Sequence, residues 1–312
     1  MVQLFTRYAM LFFIILLLAC ERPVDLKIDD IPARLVVLSK FTHNESLRLR
    51  LSQTRSVLDS EEPGIVRNAR VDLYEGEQFV GQLEFVTDDG NSQNSYYTSK
   101  HFKPKPGKAY TLKALAPGFA EVQATDAIPA VVPIRSLHIE EVETLPGNRP
   151  GEVIYAYQVT FSFVDPGAQE NYYHLNFYQQ VLGYNLLLQD TLITSNWLQR
   201  IEFSPENDNN SFIAYFEGGI LFDDKPFDGR IVTYSFPLRT TIQPQRMLLG
   251  KMFAELRSVS KSYYLFSSSL SRQRNSPGGP LSEPVIVFSN IENGSGAFAA
   301  YSQTVDSVAV LW

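Results

Sequence analysis

Three aspartates in the stretch FDDKPFDGR, Asp223, Asp224 and Asp228, are the residues whose types and spacing come nearest to metal chemistry. Calcium selects carboxylate and carbonyl oxygens, about six to eight of them, and a loop like this supplies about three or four. The spacing departs from that of an EF-hand loop, and Asp, Pro and Gly are equally the residues of a hairpin turn. Whether Asp223, Asp224 and Asp228 bind calcium therefore stays open, and no metal is assigned. The histidines His43, His101, His138 and His174 fall one to a segment, each without a second ligand close in sequence. There is no His-Glu-x-x-His, no Gly-x-Ser-x-Gly, no phosphate loop and no dinucleotide fingerprint. On this basis no catalytic residue is assigned, no cofactor is expected, and the chain reads as a binding or structural protein rather than an enzyme.

One residue does carry definite chemistry. Cys20 is the only cysteine of 312 residues, and it ends an apolar run, Tyr8 to Leu18, that follows Arg7 and closes with the small residue Ala19. Eleven apolar residues are too few to cross a bilayer, which takes about 20. Basic start, apolar run and small residue are the parts of an export signal. Leu17, Leu18, Ala19 and Cys20 resemble a bacterial lipobox, whose cysteine thiol is acylated and becomes the new N-terminus. Residues 1–19 are then a lipoprotein signal peptide and Cys20 the lipidation site. The mature chain keeps no thiol for disulfides, metal or nucleophilic attack. A net charge of -7 argues against nucleic acid and against docking on anionic lipid through a basic face, so attachment to the membrane falls to the lipid on Cys20. Residues 20–32, with Glu21, Asp25, Asp29 and Asp30, form an acidic tether.

The rest must be the body that this anchor holds. Its composition, 44% hydrophobic and 20% charged, is that of a packed protein. Short runs of alternating polarity, RLVVLSKF (34–41), LRLRLSQT (47–54), ARVDLYEG (69–76), QFVGQLEFV (78–86), SYYTSKHF (95–102), AYTLKALA (109–116) and AEVQATDA (120–127), predict strands of a β-sandwich over 33–133. The piece PGKAYTLKALAPGF resembles transthyretin-like and carboxypeptidase-regulatory-like sandwiches of immunoglobulin type. From 134 to 312 the strands lengthen and gain aromatics: 152–165, 170–180, 211–218, 229–238 and 250–259. Ser260 is placed to cap one helix with Tyr263, Phe266 and Leu270 on a shared face, ended by Pro277 to Pro280. EPVIVFSNIENGSGAFAAYS reads as two strands around Asn293-Gly294, with SVAVLW as a last strand. The fold class expected is thus mostly β, a sandwich followed by a larger aromatic-rich antiparallel domain with one helix. Among 16 Tyr and 21 Phe, the residues Tyr155, Tyr157, Tyr172, Tyr173 and Tyr178 suit either a ligand groove or the core.

Taken in succession, ARLVVLSKF, VRNARVDLYEG, PGKAYTLKALAPGF, FSFVDPGAQENYYHL, FDDKPFDGR, LRSVSKSYYLFSSSL and LSEPVIVFSNIENGSGAFAAY resemble the domain-of-unknown-function 4249 family of Bacteroidota outer-membrane lipoproteins over nearly the whole mature chain. Ser295-Gly296 stands where that family's pattern suggests Leu-Gly. The resemblance implies a lipid-anchored location on the outer membrane and the company of a TonB-dependent receptor. It implies no substrate. The acidic residues after Cys20 resemble the signal that sends Bacteroidota lipoproteins to the exterior face, while inner versus outer face stays open. Asp190-Thr191-Leu192 and Asp306-Ser307-Val308 are similar to Asp-Ser/Thr-apolar sites O-glycosylated in Bacteroidota, which makes Thr191 and Ser307 candidate acceptors. The expected function is that of an accessory or ligand-binding lipoprotein beside such a transporter. A structural or adhesive envelope lipoprotein is the alternative.

Overall fold

The computed structural model describes residues 32–55, 64–88, 94–187, 190–203, 212–276 and 285–310. Cys20, most of the tether and the Pro277 to Pro280 loop lie outside them. Residues 33–312 make one compact unit, and the unit is mostly β.

The first strands follow the alternation of the sequence. β1 (Leu35–Phe41), β2 (Arg48–Gln53), β5 (Glu84–Val86) and β6 (Tyr96–Thr98) lie in one sheet; β3 (Arg70–Glu75), β4 (Gln78–Gln82), β7 (Ala109–Leu115) and β8 (Val122–Ala127) form another in the order β4-β3-β7-β8. Leu35, Val37, Leu49, Leu51, Val71, Leu73, Tyr110 and Leu112 meet between them in one core, each almost wholly buried. Period-two side chains put these residues on facing surfaces, which is the sandwich geometry. The run QFVGQLEFV, expected as one strand, is two. Leu83 is 2% exposed, and its N–H donates to the Val71 carbonyl at 2.8 Å as the chain crosses from β4 in one sheet to β5 in the other. A buried leucine at the crossing satisfies the core of both sheets, which the local pattern alone does not reveal.

Beyond residue 133 come β9 (Ile134–Pro146), β10 (Val153–Val164), β11 (Tyr172–Leu187), β12 (Asp190–Ile201), β13 (Ile213–Ala214), β14 (Ile220–Asp223), β15 (Ile231–Ile242), β16 (Met247–Val259), α1 (Lys261–Asn275) and β17 (Ser295–Ala309). β15, β10 and β9 form a three-stranded sheet. A second core packs against it, with Phe161, Phe163, Tyr173, Phe177, Phe222 and Phe236 among its rings. Stacked and edge-on pairs such as Tyr173 on Phe222 at 5.2 Å fill it. The span 211–218, expected as a strand, is strand only at Ile213–Ala214. Gly218 and Gly219 hold φ of 105° and 79°, a left-handed turn that throws the chain straight back into β14.

The cores separate near residue 130, but the largest sheet does not. Its order is β13-β14-β11-β16-β17-β1-β2-β6-β5, with β12 on the open side of β11, so it joins strands from both spans expected as separate domains. β17 makes the join. Residues 295–300 run parallel to β1, while 301–309 run antiparallel to β16. The C-terminal hairpin expected around Asn293-Gly294 is absent for the same reason. Residues 285–291 form no strand, and Ser295 onward pairs with the first strand of the body instead. The last strand expected as separate is the far half of β17. α1 begins as the sequence predicts: Ser260 Oγ accepts the Tyr263 N–H at 3.1 Å, and Tyr263 and Phe266 are buried with Leu270 packed against their cluster.

Candidate functional site

The acidic loop folds so that two of its aspartates meet a third from elsewhere. Carboxylate oxygens of Asp165, Asp224 and Asp228 all lie within 4.8 Å of one another. Asp165 ends the β10 region, and the close approach of Gly167 to Gly229, where an added Cβ on Gly167 would meet the Gly229 Cα at 3.1 Å, brings the two loops together. Asp223, the remaining member of the expected set, turns aside and pairs with Lys225 at 3.0 Å. The buried pair is committed to the loops themselves. Asp165 accepts from Tyr173 OH at 2.5 Å and from the Gly229 N–H at 2.8 Å, while Asp224 Oδ2 accepts from the Asn171 N–H at 2.7 Å. Burial raises the Asp165 carboxyl, and the neighbouring Asp224 and Asp228 raise it further. The arrangement ties the β10–β11 connection to the β14–β15 connection, which is what turn aspartates commonly do.

A second constellation lies on the face of the large sheet that α1 partly covers. Register places Arg257 of β16 opposite His174 of β11, Glu255 opposite Asn176, and Val259 opposite Tyr301 of β17. Lys40 of β1, beside Ala299, reaches over the same face. Its ammonium lies 2.6 Å from Glu217 and also bonds Tyr215, whose hydroxyl donates to Glu217 at 2.7 Å. Burial lowers the Lys40 ammonium from its ordinary value, opposed by Glu217. Glu255 takes Arg257 at 3.0 Å and accepts from Asn176 and Tyr178, both at 3.2 Å.

His174 sits in the middle of this face, 3% exposed. Its Nε2 lies 2.9 Å from the Gly218 carbonyl, so that nitrogen carries the proton and donates; Nδ1, 3.0 Å from Tyr263 OH, then accepts. Burial, then Arg257, push its pKa down to about 3, so the ring stays neutral. Next to it, Arg257 lies over Tyr301 at 4.8 Å, and at the rim the exposed Arg200 lies over Tyr178 at 5.6 Å. The exposed edge of the constellation therefore offers one guanidinium, Arg200, over a half-buried ring, Tyr178.

The other residues singled out in the sequence do not gather here. His43 follows β1, His101 is in an exposed turn, and His138 lies on β9 opposite Thr160, so of the four histidines only His174 joins the constellation. Tyr157 and Tyr173 are core, 3% and 0% exposed, whereas Tyr155, Tyr172 and Tyr178 are half-buried. Ser307 is half-buried on β17 opposite Phe253. Thr191 is near the start of β12, in register with Leu186, its side chain lying outside the described set. Lys40, Tyr215, Glu217, Glu255 and Arg257 were not singled out from the sequence. A signal for two of them existed: Glu255 and Arg257 stand two apart in a strand-like run and so share a face. The convergence of β1, β11, β16 and β17 left no such trace.

A further surface feature is the β11–β12 hairpin. Residues 192–200 are exposed throughout, Leu186 is 74% and Leu198 55% exposed, and Leu192, Ile193 and Trp197 are exposed with them. No charged residue occurs between Asp190 and Arg200.

No curated protein matches the chain. A family model does, described as "Domain of unknown function (DUF4249)", and the match runs over residues 21–307. With the two-sheet body, the shared strand β17 and the aromatic core all inside that span, this chain belongs to the DUF4249 family.

Proposed function

We propose that the protein is a non-catalytic lipoprotein of the outer membrane of Bacteroidota, held by acyl chains on Cys20 and facing the exterior, that serves a TonB-dependent receptor as an accessory or ligand-binding partner. The observation that carries this reading is the register of Leu17-Leu18-Ala19-Cys20 at the end of an eleven-residue apolar run, in a chain with no other cysteine. Supporting it is a surface suited to contact: the uncharged, apolar side chains of the β11–β12 hairpin and, beside them, the exposed Arg200 over Tyr178. Exposed apolar side chains gathered on one element are the usual mark of a partner surface.

The test is affinity purification of the lipidated protein in mild detergent. A TonB-dependent barrel should come with it, and serine at Leu186, Leu192 and Leu198 together should weaken that recovery while leaving the melting temperature unchanged. Recovery of the protein alone, under conditions that keep known receptor complexes intact, would overturn the accessory role and favour a structural or adhesive one.

A further inference from the structure

The first and last strands of the body are hydrogen-bonded neighbours, and they are parallel. Six register pairs, Val36 with Ser295 through Phe41 with Ala300, join β1 to β17. On its other side β1 is held by β2 through four pairs, Leu35 with Gln53 through Leu38 with Arg50. β17 is itself locked further along: nine pairs from Tyr301 to Ala309 bind it to β16, which pairs in turn with β11. Side chains add to the grip. Leu35, Val37 and Phe41 are buried, and Phe41 stacks on Phe298 of β17 at 4.4 Å. Lys40 is fastened to Glu217 across the sheet.

Direction is what gives this pairing its consequence. Tension arriving at Ala33 from the residues before it pulls β1 backward along its own axis. Because β17 is parallel and continues forward to Ala309, a load between the two termini slides one strand along the other and stretches all their bonds together. Pulling the same two strands apart from their shared starting end would instead break the bonds one after another. Hydrogen bonds loaded together fail at a higher force than the same bonds loaded in turn, since the barrier then includes the whole set, and resistance to forced unfolding is set by that barrier rather than by equilibrium stability.

We propose that the β1–β17 pairing is a mechanical clamp, through which the protein bears tension between its N-terminal attachment and whatever holds the rest of the body. The source of the load, an anchor on Cys20 pulled against a partner, rests on the function proposed above; the clamp rests on strand direction and register alone. β17 acts as the rail. Its first half holds the strand that receives the load, and its second half passes that load to β16 and on to β11, whose far end forms the projecting hairpin.

Single-molecule force spectroscopy on the full chain tests this with one interface and two directions. In the first geometry the handles are tags on the N- and C-termini. In the second, the C-terminal handle moves to Glu292→Cys in a Cys20→Ser background, so that the handle carries the only thiol; Glu292 is exposed and precedes β17. The first geometry shears the six pairs and the second peels them. The expected result is a first unfolding force at least about twofold higher in the terminal geometry, because six pairs resist together rather than singly. Equal forces in the two geometries, or a lower force between the termini, would overturn the clamp. Either result is independent of acylation. A Cys20→Ser protein that stayed membrane-bound in cells would overturn the lipid anchor and leave the force comparison standing.

Discussion

His174 is a histidine that stays neutral in the folded protein at any pH well above 3. Its pKa is pushed down to about 3 by burial and by Arg257, against an ordinary value near 6.5, so folding favours the neutral ring. The stability that His174 contributes is present above pH 6.5 and is lost as the pH falls below it, because the unfolded chain takes up a proton that the folded one refuses. The loss should amount to about 2 kcal/mol by pH 5. Urea unfolding at pH 7.5 and pH 5 should show His174→Gln less stable than the native chain at the higher pH, with the gap narrowed by about that amount at the lower. An unchanged gap would refute the assignment. Beside it, Gly219 leaves no room for a side chain: an added Cβ would lie 2.3 Å from the Leu175 carbonyl and 2.9 Å from His174 Nε2, at a φ of 79°. Gly219→Ala should cost about 2 kcal/mol or more, read as a lower denaturation midpoint with unchanged slope.

Among the elements, α1 is tied through its cap to two sheets at once. Asp126 of β8 accepts from Ser260 Oγ at 2.5 Å and from the Ala300 N–H at 2.8 Å, so one carboxyl joins the small sandwich sheet, the helix cap and β17. Burial raises the Asp126 pKa to about 6, an effect that its hydrogen bonds only partly offset. The sign is opposite to that of His174. A raised carboxyl is more protonated in the folded chain, so its contribution is fully present below the ordinary pKa near 4 and fades as the pH rises through 6. Between pH 7 and pH 5 the native chain should gain on the order of 1 kcal/mol from this group. Asp126→Asn should remove that gain while Ser260 still caps the helix, which thermal melts at the two pH values would show. A variant that retains the native pH response would place the titration elsewhere.

At the scale of the whole molecule, two cores are threaded by one sheet. The sandwich core and the aromatic core each resemble the interior of a separate domain, yet β17 belongs to both, with Phe298 in the first and Val308 packed against the second. Chemical denaturation followed by tryptophan fluorescence and by far-ultraviolet dichroism should therefore give coincident transitions, since neither half keeps its sheet without the other. Two separated transitions would mean that the shared strand does not couple them. Cys20→Ser, by contrast, should leave this unfolding unchanged and release the protein from membranes to the soluble fraction, because the tether precedes the first strand. Continued fractionation with the outer membrane would exclude lipid as the anchor.

The sequence by itself determined what is local. Alternation at Leu47, Leu49 and Leu51 marked β2, Ser260 with Tyr263 and Phe266 marked the helix and its start, and the succession of segments from ARLVVLSKF to LSEPVIVFSNIENGSGAFAAY pointed to the family that the family match then established. These signals survive in one dimension because pleat, helical turn and cap each repeat within a few residues. Tertiary structure decided what depends on distant neighbours. Asp165 joined Asp224 and Asp228 while Asp223 did not, and Lys40, His174 and Arg257 met although far apart in the chain. The expected C-terminal hairpin gave way to pairing with β1 because β1, between β17 and β2, buries Leu35, Val37 and Phe41 in a core that a local hairpin would have left open. Strand pairing exchanges the same backbone bonds with any partner. The burial that comes with the partner makes the choice, and burial is a property of the folded whole.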